Sequence, residues 1–464
     1  MSNLPEAFID HMAGAPGFDP EAFLSAHREP DRVNAVRLNA AKPPAASAAG
    51  APDVIEPARP VPWCEGGYYL KQRPLFSRDP LWHGGAYYVQ DASSMSLSLV
   101  IRRLAPRDRP LRILDLCAAP GGKTTLLLGA MPPGSFVVAN EVISSRVPAL
   151  EENAVKWGAA GVMVTRNDPR DFGGLDGFFD VVVIDAPCSG SGLFRKDAGA
   201  VRGWSPSLVA LCQGRQQRIT TEVAGALAPG GLLVYSTCSY SPAEDEQISE
   251  FLCDRCGMEA LEVPFDKAWG VVESRGPGGA PLGYRFYPDK VAGEGFYLSA
   301  FRKPEGKPRT EPAKKRAGHK GLFQPLARAG RERLVPWVDG LTEPLEPLEW
   351  LGEVVLVPAE TAPLVETLAS RLRVVSAGTR AGKFLKGEFI ADHGLAMSPA
   401  VGRGVARAEL GLEDALCYLM KEPVTLPGAA KGRVLVSYRG VGLGWAKQLA
   451  GRVNNYYPTA WRLR

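Results

Sequence analysis

The stretch "DLCAAPGGKTT", residues 115–125, decides the fold. It follows an apolar run, "LRILDLC", and leads into a helical pattern, "KTTLLLGAM". A glycine turn from a strand into a helix is where doubly wound α/β proteins bind nucleotide-like groups. The end of the stretch, Gly121-Gly122-Lys123-Thr124, looks like a phosphate-binding P-loop. That loop needs a glycine five residues before its last one, to begin the wrap around a β-phosphate. Position 117 is Cys117, so the wrap lacks its first glycine. The turn therefore suits a nucleoside-like cofactor, and the rest of the chain must say which.

Outward from this turn, residues 109–303 alternate short β-branched runs with helical stretches. "RILDLC", "SFVVANEV", "VMVTRN", "FFDVVVIDA" and "GLLVYSTC" read as strands; "SRVPALEENAVKWG" and "SLVALCQGRQQRITTEVAGALA" read as helices. Pro148 fits a first helical turn, and "APGG" is expected to stop the later helix. Such alternation predicts a parallel, doubly wound Rossmann-like sheet. A late pair, "GYRFYP" and "GFYLSAF", should close one edge.

Residues 1–108 form an N-terminal extension rich in proline, alanine and aromatics, broken by a low-complexity loop, "AAKPPAASAAGAPDVIEPARPVP". A basic linker over 304–322 leads to a first C-terminal domain, 323–398, and a last one, 399–464. At 464 residues, with 45% hydrophobic and 22% charged residues, the composition is that of an ordinary soluble multidomain protein. No apolar run reaches membrane length, and the first residues carry no secretory pattern, so a cytoplasmic protein is expected. Eight cysteines without a disulfide framework agree with a reducing compartment. The close pair Cys253 and Cys256 has no second pair at zinc spacing, and no metal site is expected.

The net charge of +4 is unevenly spread. Residues 371–464 hold 15 Lys or Arg against 6 Asp or Glu, so this end is the candidate for a polyanionic partner. If it only docks that partner, its removal should leave cofactor binding intact.

Acidic residues end the successive strands. Glu141 lies twenty residues after Gly121, where a ribose is bound in such folds; Asp168 ends the third strand and Asp185 the fourth. Three such acids would repel a pyrophosphate and suit an adenosine that carries a sulfonium cation. S-adenosylmethionine fits better than ATP or a dinucleotide.

Two cysteines stand at strand ends beside this site: Cys188 in "DAPCSGSG" and Cys238 in "YSTCSY". Buried free cysteines are usually packing, but glycine and serine surround these two. Carbon 5 of a pyrimidine is too poor a nucleophile to attack a sulfonium methyl until a thiolate adds at carbon 6. Asp185 could hydrogen-bond the ring at nitrogen 3 and offset its developing charge. A stacked base must also be flipped out. Arg195, Lys196, Arg202 and Trp204 after Cys188, with Arg37, Asn39, Tyr87, Tyr88 and Gln90, are candidates to hold the nucleic acid.

These motifs together resemble the Sun-type RNA cytosine-C5 methyltransferases. "DLCAAPGGKTT", "NEVISSRVPALEENAVKWG", "DAPCSGSGLFRKD", "YSTCSYSPAEDE" and "RFYPDKVAGEGFYLSAFRK" look like the family's successive motifs, with "AVRLNAAK" and "YYVQDASS" similar to its N-terminal signatures. The resemblance implies a methyltransferase core at 109–303 behind an N-terminal RNA-binding α/β extension. It implies Cys238 as nucleophile and Cys188 as the thiol that assists product release. As cofactor contacts it implies Cys117, Ala118, Ala119, Pro120, Gly121, Gly122, Lys123, Glu141, Asp168 and Asp185. Many members have alanine where this chain has Cys117. "GWAKQLAGRVNNYYPTAWRLR" is similar to the end of the PUA-like RNA-binding domain of a bacterial subgroup acting on small-subunit ribosomal RNA. The implied partner is ribosomal RNA or the small subunit, approached by a monomer. A phosphoryl-transfer ATPase fails at Cys117 and leaves both cysteines unexplained. A non-catalytic assembly factor and a transfer-RNA methyltransferase remain as alternatives.

Overall fold

In a computed structural model, which describes residues 4–28, 33–45, 55–276, 279–306, 321–338 and 344–464, the chain opens with two helices, α1 (Glu6–His11) and α2 (Pro20–Arg28). A four-stranded antiparallel sheet follows, in the order β2-β3-β1-β4. Its strands are β1 (Ala35–Leu38), β2 (Pro57–Pro60), β3 (Gly67–Leu70) and β4 (Tyr87–Val89). The middle of the expected low-complexity loop and most of the expected basic linker lie outside the described residues.

The strand–turn–helix around residue 115 is present as β5 (Arg112–Asp115) and α3 (Gly122–Ala130). After it come β6 (Phe136–Asn140), α4 (Val147–Trp157), β7 (Val162–Thr165), β8 (Phe179–Asp185), α5 (Pro206–Ala224), β9 (Leu227–Thr237) and α6 (Glu246–Cys256). Strands β5 to β9 are parallel, and β8 is buried along nearly its whole length, as a central strand covered on both faces must be. Pro148 sits in the first turn of α4, and Gly158 ends it in the left-handed region, φ 83°.

The sequence "APGG" does not stop α5. That helix ends at Ala224, and residues 228–231 begin β9, where Gly230 (φ 70°) sits in an irregular stretch of the β8–β9 ladder.

Beyond α6 the chain adds β10 (Glu259–Ala260), β11 (Val272–Arg275), β12 (Pro281–Phe286) and β13 (Phe296–Arg302). The last three extend the sheet antiparallel from β9, closing the edge as the sequence predicts.

The C-terminal region departs from the expected separation. Strands β14 (Phe323–Pro325), β15 (Leu345–Trp350), β16 (Glu353–Pro358), β18 (Thr379–Leu385) and β19 (Glu388–Ala391) make their own sheet. Between them, β17 (Val374–Ala377) leaves that sheet and pairs antiparallel with β7, becoming the far edge of the catalytic sheet. The packing follows suit. Phe323, Trp350, Val365 and Leu368 share one apolar cluster with Phe172, Val182 and Tyr235 under the catalytic sheet. On the opposite face Ile113, Val181 and Val234 pack with Trp63, Tyr69 and Met95 of the N-terminal extension. Each of the two faces needs a cover to remove its valines and isoleucines from water, worth about 1.5–3 kcal/mol per fully buried side chain.

The last sheet, β20 (Arg407–Glu409), β21 (Gly432–Tyr438), β22 (Val441–Gln448) and β23 (Val453–Asn455), reaches back to the N-terminal extension, where Val441 packs with Val36 and Leu81. Among the described residues, no helix is long and apolar enough to cross a membrane.

Candidate active site

The carboxyl ends of the parallel strands β5, β6, β7 and β8 lie along one edge of the sheet. Gly121 has φ 112°, and a Cβ there would meet Asn153 and Leu150 at 3.3 and 3.4 Å, so only glycine lets the chain turn into α3. Arg146 donates to the carbonyl of Ala119 (2.6 Å) and Asn153 to that of Pro120 (2.8 Å), fixing the loop from α4's side. Asn140 ties the first and third strand ends together, donating to the carbonyls of Leu116 (3.1 Å) and Asn167 (3.0 Å). Burial pushes the Cys117 thiol up, so Cys117 is a neutral lining residue.

Glu141 is buried at the end of β6, accepting from Ile143 N at 2.8 Å with Arg146 3.1 Å away. Asp168 starts a short helical turn as its cap, and its Oδ1 also pairs with Arg218 at 3.2 Å; Oδ2 takes none of these bonds. Asp185 receives Ser236 Oγ (2.8 Å) on one oxygen and Lys123 Nζ (2.8 Å) on the other. Asp115, at the end of β5, is wholly buried; burial raises its carboxyl to about 7, and its Oδ1 has no hydrogen-bond partner among the described residues. Four carboxyl groups in register, an orphan buried acceptor and a side-chain-free turn suit a cationic nucleoside. They do not suit a triphosphate.

The two thiols meet. Asp185 of β8 lies opposite Ser236 of β9, so Cys188 and Cys238, three and two residues further on, emerge side by side. Their Sγ atoms are 3.0 Å apart, and both residues are half-buried. Gly192 brings the loop after Cys188 onto the Cys238 carbonyl (N···O 2.8 Å), and a Cβ there would stand 2.7 Å from that oxygen. The hydrogen bond to Cys238, burial, and the nearby charges of Cys238 and Glu244 all raise the Cys188 thiol well above its ordinary range. Either sulfur can donate to the other across this contact, so the geometry sets two thiols side by side at one point.

The three acids of "AEDE", Glu244, Asp245 and Glu246, are buried braces for the Cys238 turn. Glu244 bonds Ser189 and Ser239; Asp245 accepts Thr237 Oγ1 at 2.7 Å; Glu246 holds Arg285, Nε to Oε1 2.6 Å. Arg285 also donates to the Tyr240 carbonyl at 2.7 Å. The only sequence signal was position, just past the second cysteine.

The RNA candidates divide. Arg37 and Asn39 are each 4% exposed, with their side chains hydrogen-bonded within the protein. Arg37 donates to Gln90, to Thr125 Oγ1 (2.6 Å) and to the Thr125 carbonyl, and stacks on Trp157 at 4.5 Å. Asn39 donates to the carbonyls of Gly85 and Trp157. They bolt the N-terminal sheet onto α3 and α4, a use that only the tertiary fold reveals. Trp204 is likewise buried against Phe8, and Tyr87 donates to Asp79. Arg195 is buried beside Glu294, whereas Lys196, held near Glu294 and Asp91, keeps a partly exposed ammonium.

Comparison with known proteins shows the family. Residues 101–302 match the family model of the 16S rRNA methyltransferase RsmB/F, residues 4–92 the N-terminal domain of 16S rRNA methyltransferase RsmF, and residues 406–463 the RsmF PUA domain. The chain is 31% identical to ribosomal RNA small subunit methyltransferase F of Aeromonas hydrophila, over 98% of this chain and 96% of that one. To the protein of the same name from Vibrio atlanticus it is 30% identical over 98% and 97%. Among solved structures, a methyltransferase homolog from Pyrococcus horikoshii superposes with a TM-score of 0.52 at 27% identity, covering 64% of this chain and 95% of that one. NSun6 from the same organism has the same fold, with a TM-score of 0.52 at 19% identity over 66% of this chain and all of that one. The chain is an S-adenosylmethionine-dependent methyltransferase core between two accessory regions, and it belongs to the ribosomal RNA small subunit methyltransferase F family.

Proposed function

We propose that this protein methylates carbon 5 of cytosine in small-subunit ribosomal RNA, with Cys238 as nucleophile and Cys188 as the thiol that helps it leave. The observation that carries the reading is the pair of thiols 3.0 Å apart at the ends of adjacent parallel strands, beside Asp185. The residues that would hold S-adenosylmethionine are Cys117 to Lys123, Glu141, Asp168 and Asp185. When bound, the cofactor supplies an electrophilic methyl group.

Every other part of the chemistry falls to side chains of this chain. The Cys238 thiolate adds to carbon 6, and the electrons of the 5,6 double bond move toward carbon 5 and the nitrogen 3 side of the ring. The Lys123 ammonium, 2.8 Å from Asp185, would offset that negative charge, and Asp185 in its acid form would donate a hydrogen bond to nitrogen 3. Once carbon 5 carries the methyl, a base takes its proton, the double bond reforms, and the carbon–sulfur bond breaks. The Cys188 S–H then hydrogen-bonds the departing thiolate.

On this reading residues 1–108 guide the RNA, residues 399–464 dock it, and the protein works as a monomer in the cytoplasm on ribosomal RNA or the small subunit. Lys431, Lys447, Arg452, Arg462 and Arg464 are exposed and pair with no carboxylate among the described residues. Beside them Arg433 lies over the half-exposed ring of Tyr456 at 5.1 Å, a platform on which a base can stack.

RNA bearing tritium at cytosine carbon 5 tests the site of methylation. Cofactor-dependent release of one tritium per methyl incorporated is expected; methyl transfer without release would place the methyl elsewhere.

A further inference from the structure

Glu244 lies behind both thiols and is wholly buried. Its carboxylate accepts Ser189 N at 2.7 Å, Ser189 Oγ at 2.5 Å and Ser239 Oγ at 2.7 Å, with Gln216 Nε2 at 3.3 Å. Ser189 is the residue after Cys188, and Ser239 is the residue after Cys238. One charge thus joins two loops that come from different strands and lie 50 residues apart. The clamp is itself anchored to the sheet, because the carbonyl of Glu244 accepts the hydroxyl of Tyr235 on β9 at 2.7 Å.

We infer that Glu244 is a positioning residue that sets the separation and aim of the two thiols by hydrogen-bonding the residue that follows each of them. Bonds from buried donors to an ionised acceptor are about twice as strong as neutral ones, so this acid can hold both loops against the pull of a reacting base. A misplacement of about 1 Å at a nucleophile costs on the order of 100-fold in rate. The inference rests on the assignment of Cys238 to attack and Cys188 to release. A purely structural Glu244 would instead weaken folding, cofactor affinity and chemistry together.

The test uses the full chain, ribosomal RNA and S-adenosylmethionine, reading covalent protein–RNA complex on denaturing gels, methyl incorporation, and cofactor affinity by calorimetry. Glu244→Ala is expected to slow turnover about 100-fold with cofactor affinity within twofold. Glu244→Gln keeps the shape and an acceptor for Ser189 N, and is expected to recover turnover to within about tenfold of the parent. The serines separate the loops. Ser189→Ala should slow release, so covalent complex accumulates; Ser239→Ala should slow attack, so none does. Turnover by Glu244→Ala within threefold of the parent would overturn the inference, as would equal behaviour of the two serine variants. If Glu244→Ala does not fold, Glu244→Gln and the serine variants decide. Absence of a covalent complex from the parent and from Cys188→Ala alike would count against the thiol mechanism, not against the clamp.

Discussion

Cys238→Ala is expected to abolish methylation and leave no covalent protein–RNA complex, while Cys188→Ala turns over slowly and accumulates one. The difference follows from the proposed division of roles: Cys238 attacks carbon 6, and Cys188, its Sγ 3.0 Å away and its thiol raised by the hydrogen bond to Cys238 and by burial, serves as donor to the departing sulfur. Removing a nucleophile from a covalent mechanism costs a factor on the order of 10⁴ or more. Removing one donor to a developing anion costs roughly 10²–10³. In Cys188→Ala the attack still proceeds, but the departing thiolate has lost its partner, so the adduct outlives denaturation and migrates as a slow band. A band from Cys238→Ala with none from Cys188→Ala would exchange the two roles.

A second large effect is expected at the C-terminal sheet. Reversing four exposed cations together (Lys431→Glu, Lys447→Glu, Arg452→Glu and Arg462→Glu) should lower RNA affinity on the order of 100-fold near physiological salt. Each phosphate contact contributes about 0.7–0.9 to the slope of log affinity against log salt, so the slope should fall by roughly 3. Cofactor affinity should not change, since none of the four lies in the catalytic sheet. Anisotropy titrations between about 50 and 200 mM salt measure both quantities. An unchanged slope would mean that these charges only solvate the surface.

This substitution replaces a simpler experiment that the sequence suggests. By charge alone, cutting the chain at residue 371 would separate docking from chemistry, because the basic excess begins there. It would also remove β17, whose neighbour Arg373 accepts from Arg166 N and exchanges hydrogen bonds with the side-chain amide of Asn167, next to Asp168. The cut would strip an edge strand from the catalytic sheet and open its core.

What the sequence made legible was local. The glycine turn at 121, the acids at strand ends and the cysteines after β8 and β9 each follow from a few neighbouring residues and the two-residue or 3.6-residue period around them. Pairing between β7 and β17 joins segments some two hundred residues apart, and no period in either segment announces it. The burial of Arg37 and Asn39 was not legible for a related reason. Polar residues in a basic, aromatic-bearing segment read as surface, but here the buried carbonyls of α3 and α4 need donors, and these two side chains supply them. Glu244 was hidden the same way, an acid in an acidic run whose donors sit on two other loops.

The most direct measurement of the central claim is the 5-methylcytidine content of small-subunit ribosomal RNA, by mass spectrometry of nuclease digests, from cells whose only copy of this protein is either intact or Cys238→Ala. The account predicts one or more 5-methylcytidines present with the intact chain and absent with Cys238→Ala. The same modification at full level in both, or absent from both, would contradict it.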